Sequence, residues 1–351
     1  MMNMPRSVLH EYGIEEDMLR LIPFGNGLIN NTWKIEVPGR EFILQKINQS
    51  VFKEPQLIAT NIRLIAGYLQ THYPDYPFVS PVVSNDGKDM IVNEHADFFR
   101  LFPFVSDSHT TDVVSSIQQA REAATQFGRF TRLLSGFDAS KLNITIPYFH
   151  DLGYRYDRFL KIIPEGNRRR AFEAEDLIRF LIRNSAIVAE YRRITSDPAF
   201  KLRVTHHDTK ISNVLFDDQD KGICVIDLDT VMPGYFISDV GDMMRTYLSP
   251  VSEEEKNFDK IEVREDFYEA IVRGYYAEMK DELTTTESKN FFYAGKFMIY
   301  MQAIRFLTDH LANDIYYKVD YPAQNYFRAA NQAELLKKLI EKEERFSSIT
   351  Q

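Results

Sequence analysis

The hydrophobic pattern of the chain changes period near residue 105, and that change restricts the fold more than any other feature. From about Leu21 to Val105, apolar and polar residues alternate in short runs, as half-buried strands require. Thr32-Trp33-Lys34-Ile35-Glu36-Val37 and Glu41-Phe42-Ile43-Leu44-Gln45-Lys46-Ile47 are two such runs, and Pro38-Gly39-Arg40 between them predicts a hairpin. One helix interrupts the strands. Leu57, Ile58, Ile62, Ile65 and Leu69 form its apolar stripe, with Pro55 near the expected first turn. Two more strands are expected near Met90-Ile91-Val92 and Phe98-Phe99-Arg100-Leu101-Phe102, before Pro103. Beyond residue 106 the pattern lengthens into amphipathic stretches over 115–135, 168–196, 262–283 and 288–312, broken by one strand-like run at 222–229. The expectation is an α+β chain: a small antiparallel sheet with one helix over 1–105, and a large, mostly helical part over 106–351. At 351 residues the chain exceeds the usual span of one core, so a cleft between two parts is the expected site.

Composition removes several classes of function. With 44% apolar and 26% charged residues, the chain is that of an ordinary globular protein and not a disordered one. A formal charge of −9 argues against nucleic-acid binding, which needs clustered Lys and Arg. Cys224 is the single cysteine, so an intrachain disulfide and a multi-thiolate zinc site are both excluded, and a reducing compartment fits. The N-terminal residues lack the apolar run of a signal peptide, and no apolar stretch reaches membrane-spanning length. A cytoplasmic chain, monomeric or homodimeric, with no membrane partner is expected.

The chemistry concentrates in two segments. In Thr205-His206-His207-Asp208-Thr209-Lys210-Ile211-Ser212-Asn213 an acid precedes an amide by five residues, and an apolar run follows. Presented on one loop, the acid can orient and deprotonate an attacking hydroxyl while the amide oxygen helps hold a hard cation. Further on, Gly222-Ile223-Cys224-Val225-Ile226-Asp227-Leu228-Asp229-Thr230 is an apolar strand ending in two carboxylates, and Asp227 is the candidate cation ligand. Taken singly, Asp208, Asn213, Asp227 and Asp229 would be turn and strand-end residues. Their ordered combination points to the chemistry instead. His206 is expected to bond backbone behind the loop and fix Asp208, with His207 a solvent-facing neighbour. Gly25-Asn26-Gly27 is a glycine turn of the kind that lets backbone amides approach phosphates, although a plain hairpin needs the same residues. Gly87-Lys88 and Gly295-Lys296 lack the other residues of a Walker A loop.

Beyond these motifs the chain resembles the N-acetylhexosamine 1-kinases, a branch of the aminoglycoside-phosphotransferase superfamily with a protein-kinase-like, bilobal fold. The likeness rests on Gly25-Asn26-Gly27-Leu28-Ile29-Asn30-Asn31-Thr32, Phe42-Ile43-Leu44-Gln45-Lys46-Ile47-Asn48 and Arg203-Val204-Thr205-His206-His207-Asp208-Thr209-Lys210. It continues through Ile226-Asp227-Leu228-Asp229-Thr230-Val231-Met232-Pro233-Gly234, Asp239-Val240-Gly241-Asp242, Arg305-Phe306-Leu307 and Asp314-Ile315-Tyr316. The resemblance implies ATP- and Mg²⁺-dependent phosphorylation of the anomeric hydroxyl of N-acetylglucosamine or N-acetylgalactosamine. It makes Asp208 the base or orienting group and Asn213 and Asp227 the metal ligands. Asp229, Thr230, Arg305 and Tyr316 would surround the sugar with Asp208, and Asp239 would brace the catalytic loop. Gly25, Asn26, Gly27, Gln45, Lys46, Pro103 and Phe104 would line the nucleotide.

Three features depart from kinase pattern. Where a nucleotide-binding lysine is expected the chain reads Leu44-Gln45-Lys46, so Gln45 faces the cleft, or Lys46 if the register slips. The helix after Pro55 offers no obvious Glu to pair with a lysine, and Leu28 sits where similar enzymes carry a polar residue. Arg305 has an alternative partner in Asp309, one turn along a helix. The rival readings are a kinase of another alcohol (hexose, choline, homoserine or aminoglycoside) and a non-catalytic nucleotide-binding regulator.

Overall fold

The computed structural model describes residues 6–15, 19–25, 29–347 and 349. Short helix α1 (Arg6–His10) precedes a five-stranded antiparallel sheet of β1 (Arg20–Pro23), β2 (Asn31–Val37), β3 (Arg40–Lys46), β4 (Ile91–Val92) and β5 (Phe98–Pro103), in the order β1-β2-β3-β5-β4. The expected hairpin is present, with Val37 opposite Arg40; Gly39 takes φ +75°, which glycine adopts at no steric cost. Strand alternation divides the sheet into two faces. Trp33, Ile35, Leu44, Phe99 and Leu101 are buried against Val8 and Leu9 in a separate small core. Thr32, Lys34, Ile43, Gln45, Arg100 and Phe102 lie on the other face, the one turned toward the rest of the molecule.

Helix α2 (Pro55–His72) starts with proline at its first turn and buries Ile58, Ile62, Ile65 and Leu69 in the main core. Buried Asn61 fastens it there, donating to the carbonyls of Asn143 at 2.9 Å and Val231 at 3.0 Å. The large part contains α3 (Ile117–Leu133), α4 (Leu152–Glu165), α5 (Arg168–Glu173), α6 (Glu175–Arg183), α7 (Ala186–Ser196), α8 (Phe236–Tyr247), α9 (Glu265–Met279), α10 (Thr285–Ser288), α11 (Phe291–Leu311) and α12 (Gln324–Ile340). Helix α11 is buried almost all round and is the axis of this part, packed by α4, α8 and α12. The 168–196 stretch is three helices; the break between α6 and α7 falls at Asn184, which turns its side-chain amide back to the Phe180 carbonyl at 2.9 Å.

Two small ladders emerge from this helical bed: β6 (Arg203–Thr205) pairs with β9 (Met232–Gly234), and β7 (Val214–Phe216) pairs with β8 (Gly222–Val225). The strand expected at 222–229 ends at Val225, and Asp227 adopts a left-handed φ of +60° that breaks the ladder. Among the described residues no helix is long and apolar enough to cross a membrane.

Candidate active site

The loop after β6 is held from behind by α8. Asp239, in the first turn of α8, accepts the backbone N–H groups of His206 at 3.0 Å and His207 at 2.7 Å. Asp242, on the same face of α8, accepts the N–H of Thr209 at 2.8 Å, and the Tyr247 hydroxyl donates to the Thr209 carbonyl at 2.6 Å. The backbone on both sides of Asp208 is therefore fixed. Asp239 is fully buried, and burial pushes its carboxyl up to about 7 despite the two N–H bonds. His206 lies behind Asp208: the Asp208 N–H reaches its Nδ1 at 3.4 Å, which leaves Nε2 to donate to the Ile226 carbonyl at 3.0 Å. Phe127 stands edge-on to the His206 ring at 5.1 Å.

His207 departs from the expectation of a solvent-facing neighbour. It is buried, with φ +66°, and its Nδ1 lies 2.8 Å from Ser238 Oγ and 3.3 Å from His150 Nδ1. Gly234 makes room for the ring, since a Cβ there would stand 2.5 Å from His207 Cε1. Burial pushes the His207 imidazole down to about 3, so it remains neutral near pH 7.

Asp208 Oδ2 receives the Asn213 amide at 3.0 Å and the Lys210 ammonium at 3.1 Å, leaving Oδ1 without a protein partner among the described residues. Asn213 also donates to the Asp208 carbonyl at 2.8 Å, so its amide nitrogen is committed and its oxygen is spare. The Ile226 N–H donates to the Asn213 carbonyl at 2.9 Å, tying this loop to the segment that carries Asp227. Asp227 is open to the cleft between protein walls, and its carboxyl is pushed up to about 7 by those walls, then by Asp229 and Asp208. Lys210 is raised by Asp208 first and Asp227 further. Carboxylates gathered this closely resist ionising together unless positive charge joins them. Among the described residues, no three His, Cys, Asp or Glu side chains converge on a metal position. A carboxylate and an amide oxygen beside open cleft instead suit a cation that keeps waters and takes phosphate oxygens, as Mg²⁺ does.

The small sheet closes the other side. Gly25 has a left-handed φ of +75°, while Asn26 and Gly27 lie outside the described residues. Gln45 lies on the face of the sheet turned toward the rest of the molecule; Lys46, next along the strand, lies on the opposite face and pairs with Asp97 at 2.7 Å. Arg100, opposite Gln45 in register, donates through Nε and Nη2 to Gln45 Oε1 at 3.1 and 2.8 Å. Its Nη1 meets Asp229 Oδ1 at 2.5 Å, a charge contact without hydrogen-bond alignment. Asn30 donates to the other oxygen of Asp229 at 2.8 Å. At the junction after β5, exposed Pro103 leads to Phe104, whose N–H donates to the Glu41 carbonyl at 3.1 Å. Lys34 stands 4.2 Å over the Phe104 ring, and Phe24 meets it edge-on at 6.0 Å.

The residues matched to a sugar are less gathered. Thr230 is buried and donates to the His206 carbonyl at 2.7 Å, and Asp229 is turned to the small sheet. Arg305 on α11 lies over Phe149 at 5.3 Å and Tyr317 at 5.7 Å, and donates to Gln302 Oε1 at 3.1 Å. Asp309 does not pair with it: the Asp309 carboxylate caps the loop after α11, accepting the N–H groups of Tyr316 at 2.7 Å and Tyr317 at 2.9 Å. That cap leaves Tyr316 60% exposed and brings Tyr317 against Arg305.

Residues 20–281, from β1 past the end of α9, match the phosphotransferase enzyme family. The chain belongs to that family. Solved structures agree on the fold. A microcompartment-associated aminopropanol kinase is 16% identical, with 98% of each chain covered and a TM-score of 0.68. An amicoumacin kinase in complex with AMP-PNP and Ca²⁺ is 15% identical over 93% of this chain and 90% of its own, with a TM-score of 0.62. A choline kinase from Cryptosporidium parvum Iowa II is 12% identical over 95% and 93%, with a TM-score of 0.58. The mixed fold, with a small N-terminal antiparallel sheet and a large helical part, is thus that of the phosphotransferase and protein-kinase-like group.

For a phosphotransferase, three residues that sequence reasoning passed over stand out. Lys210 contacts Asp208, and its place two residues after the acid was a legible signal. Arg155 lies beside Arg305, and neither meets a carboxylate among the described residues; burial and Arg305 push Arg155 down to about 10. Tyr317 carries no sequence signal separating it from Tyr316.

Proposed function

We propose that the chain is an ATP-dependent kinase of a small-molecule alcohol, and that its acceptor is the anomeric hydroxyl of an N-acetylhexosamine. The observation that carries the kinase reading is Asp208: one carboxylate oxygen is anchored by Asn213 and Lys210 and the other has no partner among the described residues, on a backbone fixed by Asp239 and Asp242. Such a group orients an acceptor hydroxyl and takes its proton as the oxygen bonds to the γ-phosphorus and the bond to ADP breaks. Asn213 and Asp227 would hold Mg²⁺, which supplies neutralising charge to the phosphates. Lys210 balances charge beside Asp208. The free acid and intact amide disfavour a non-catalytic regulator.

The acceptor reading rests on the sequence resemblance and on charge. Arg155 and Arg305 place two guanidinium groups with no carboxylate partner among the described residues next to Phe149, Gln302 and Tyr317. Positive charge of this kind opposes cationic acceptors such as choline, amino alcohols and aminoglycosides. It suits hydroxyl and acetamide oxygens, which accept hydrogen bonds. The test is nucleotide consumption with Mg²⁺ against N-acetylglucosamine, N-acetylgalactosamine, glucose, galactose, choline, homoserine and kanamycin, with the phosphorylated position read by phosphorus NMR. Anomeric phosphate on an acetamido sugar supports the whole reading. Phosphate on a cationic alcohol removes the acceptor assignment and keeps the kinase, and turnover of none removes both.

A further inference from the structure

Kinase-type nucleotide sites bring a lysine from the third strand of the small sheet to the phosphates and hold it with a helical glutamate. Here the strand position is Gln45, Lys46 is turned away to Asp97, and α2 contains no acidic residue at all. The cation sits one strand over. Arg100 is 1% exposed, directly opposite Gln45 in register, and lies between Gln45 Oε1 and Asp229. Both acceptor positions of the Gln45 oxygen are taken by Arg100, which polarises the amide and directs Nε2 to the opposite side. There, among the described residues, Nε2 has only Thr32 Oγ1, at 3.3 Å. Among the described residues Arg100 Nη1 has no aligned acceptor in spite of the Asp229 contact. Asp229 is two residues beyond Asp227, so the guanidinium lies beside the metal-binding segment.

We propose that Arg100 is the positive charge the small sheet supplies to the nucleotide's phosphates, held by Asp229 and presented through the Gln45 amide in place of a strand lysine. The proposal rests on the ATP-dependent reading above. Arg100 acts through Gln45 and is a positioning residue. A buried ion pair is a poor device for stability alone, since an apolar pair of similar volume commonly serves as well. A structural strut and a phosphate-directed charge also differ in what they discriminate. A strut alters adenosine and ADP binding alike; a charge aimed at phosphates alters ADP and leaves adenosine unchanged.

The experiment is calorimetric titration of the full-length chain with Mg²⁺-ADP and with adenosine. The proteins are wild type, Arg100→Met, the charge-balanced Arg100→Met/Asp229→Asn, and Arg100→Met/Asp229→Asn/Gln45→Lys, which moves the cation onto β3. The balanced pair guards against an Arg100→Met chain that fails to fold around a buried lone carboxylate, and thermal melting confirms folding. The expected result is ADP affinity reduced at least about tenfold in the balanced pair, adenosine affinity within about twofold of wild type, and ADP affinity recovered by Gln45→Lys. Equal loss of ADP and adenosine, or ADP binding that does not change, overturns the role of Arg100. A wild-type chain that binds neither ligand overturns the nucleotide reading and this proposal with it.

Discussion

Asp239→Asn tests how the catalytic loop is held. The wild-type carboxylate receives one N–H on each oxygen, from His206 at 3.0 Å and His207 at 2.7 Å, in a fully buried position. Asparagine has a single acceptor oxygen, and its NH₂ group would face the second N–H. At pH 5 the folded carboxyl is protonated, so the bond lost is one to a neutral acceptor, about 0.5–1.5 kcal/mol, and a buried donor is left unsatisfied at about 1–3 kcal/mol. Removal of the ionisable group acts in the opposite direction. The Asp239 carboxyl is raised by burial to about 7. Below pH 4 the folded and unfolded chains both hold the proton and its stabilising contribution is complete. Between pH 4 and about 7 only the folded chain holds it, so stability falls as pH rises, by about 1.4 kcal/mol per pH unit and on the order of 4 kcal/mol in all. Asparagine has no such slope. Urea unfolding at pH 5 and pH 8 should therefore show Asp239→Asn well below wild type at pH 5, with the gap narrowed at pH 8. At pH 8 kcat should also fall with little change in the KM for ATP, because the loop and not the nucleotide is displaced. A stability gap that is constant or widens with pH would refute the account.

Three other outcomes follow from the same geometry. Asp208→Asn should lower kcat by about 10²–10⁴-fold, the range for loss of a positioned proton acceptor, with ADP affinity by titration nearly unchanged; turnover within threefold of wild type removes the assignment. Arg155→Met and Arg305→Met should each raise the KM for the sugar acceptor more than they lower kcat, and the double variant should lose its discrimination against choline in a competition assay. Glu287→Gln should be costly away from the site, because Glu287 is fully buried and its Oε2 lies 2.8 Å from Arg203 Nη2; breaking such a pair costs about 3–5 kcal/mol, read as a lowered urea midpoint at constant slope.

What the sequence made legible was whatever is encoded within a few residues. The β2–β3 hairpin and helices α2, α3, α9 and α11 each carry their own periodicity or turn signal, and Asp208, Asn213 and Asp227 come together because a short loop and one ladder join them. What escaped depends on pairings between distant segments. Gln45 and Lys46 are indistinguishable until β3 is registered against β5, and only then does Arg100 stand opposite Gln45. Asp229 reads as one half of a double carboxylate after a strand, yet Arg100 and Asn30 draw it to the small sheet. His207 looks like the exposed twin of His206, but its surroundings come from Ser238 on α8 and His150 just before α4. The choice between Tyr316 and Tyr317 is made by Asp309, whose two oxygens take consecutive N–H groups and set which ring turns inward. In each case a buried polar group must find a partner, and the nearest one in space is remote in sequence. The residues proposed for the acceptor come together through such remote pairings, whereas the loop carrying Asp208 and Asn213 is local; a kinase motif is therefore readable in the sequence, and the identity of the alcohol is a property of the folded chain.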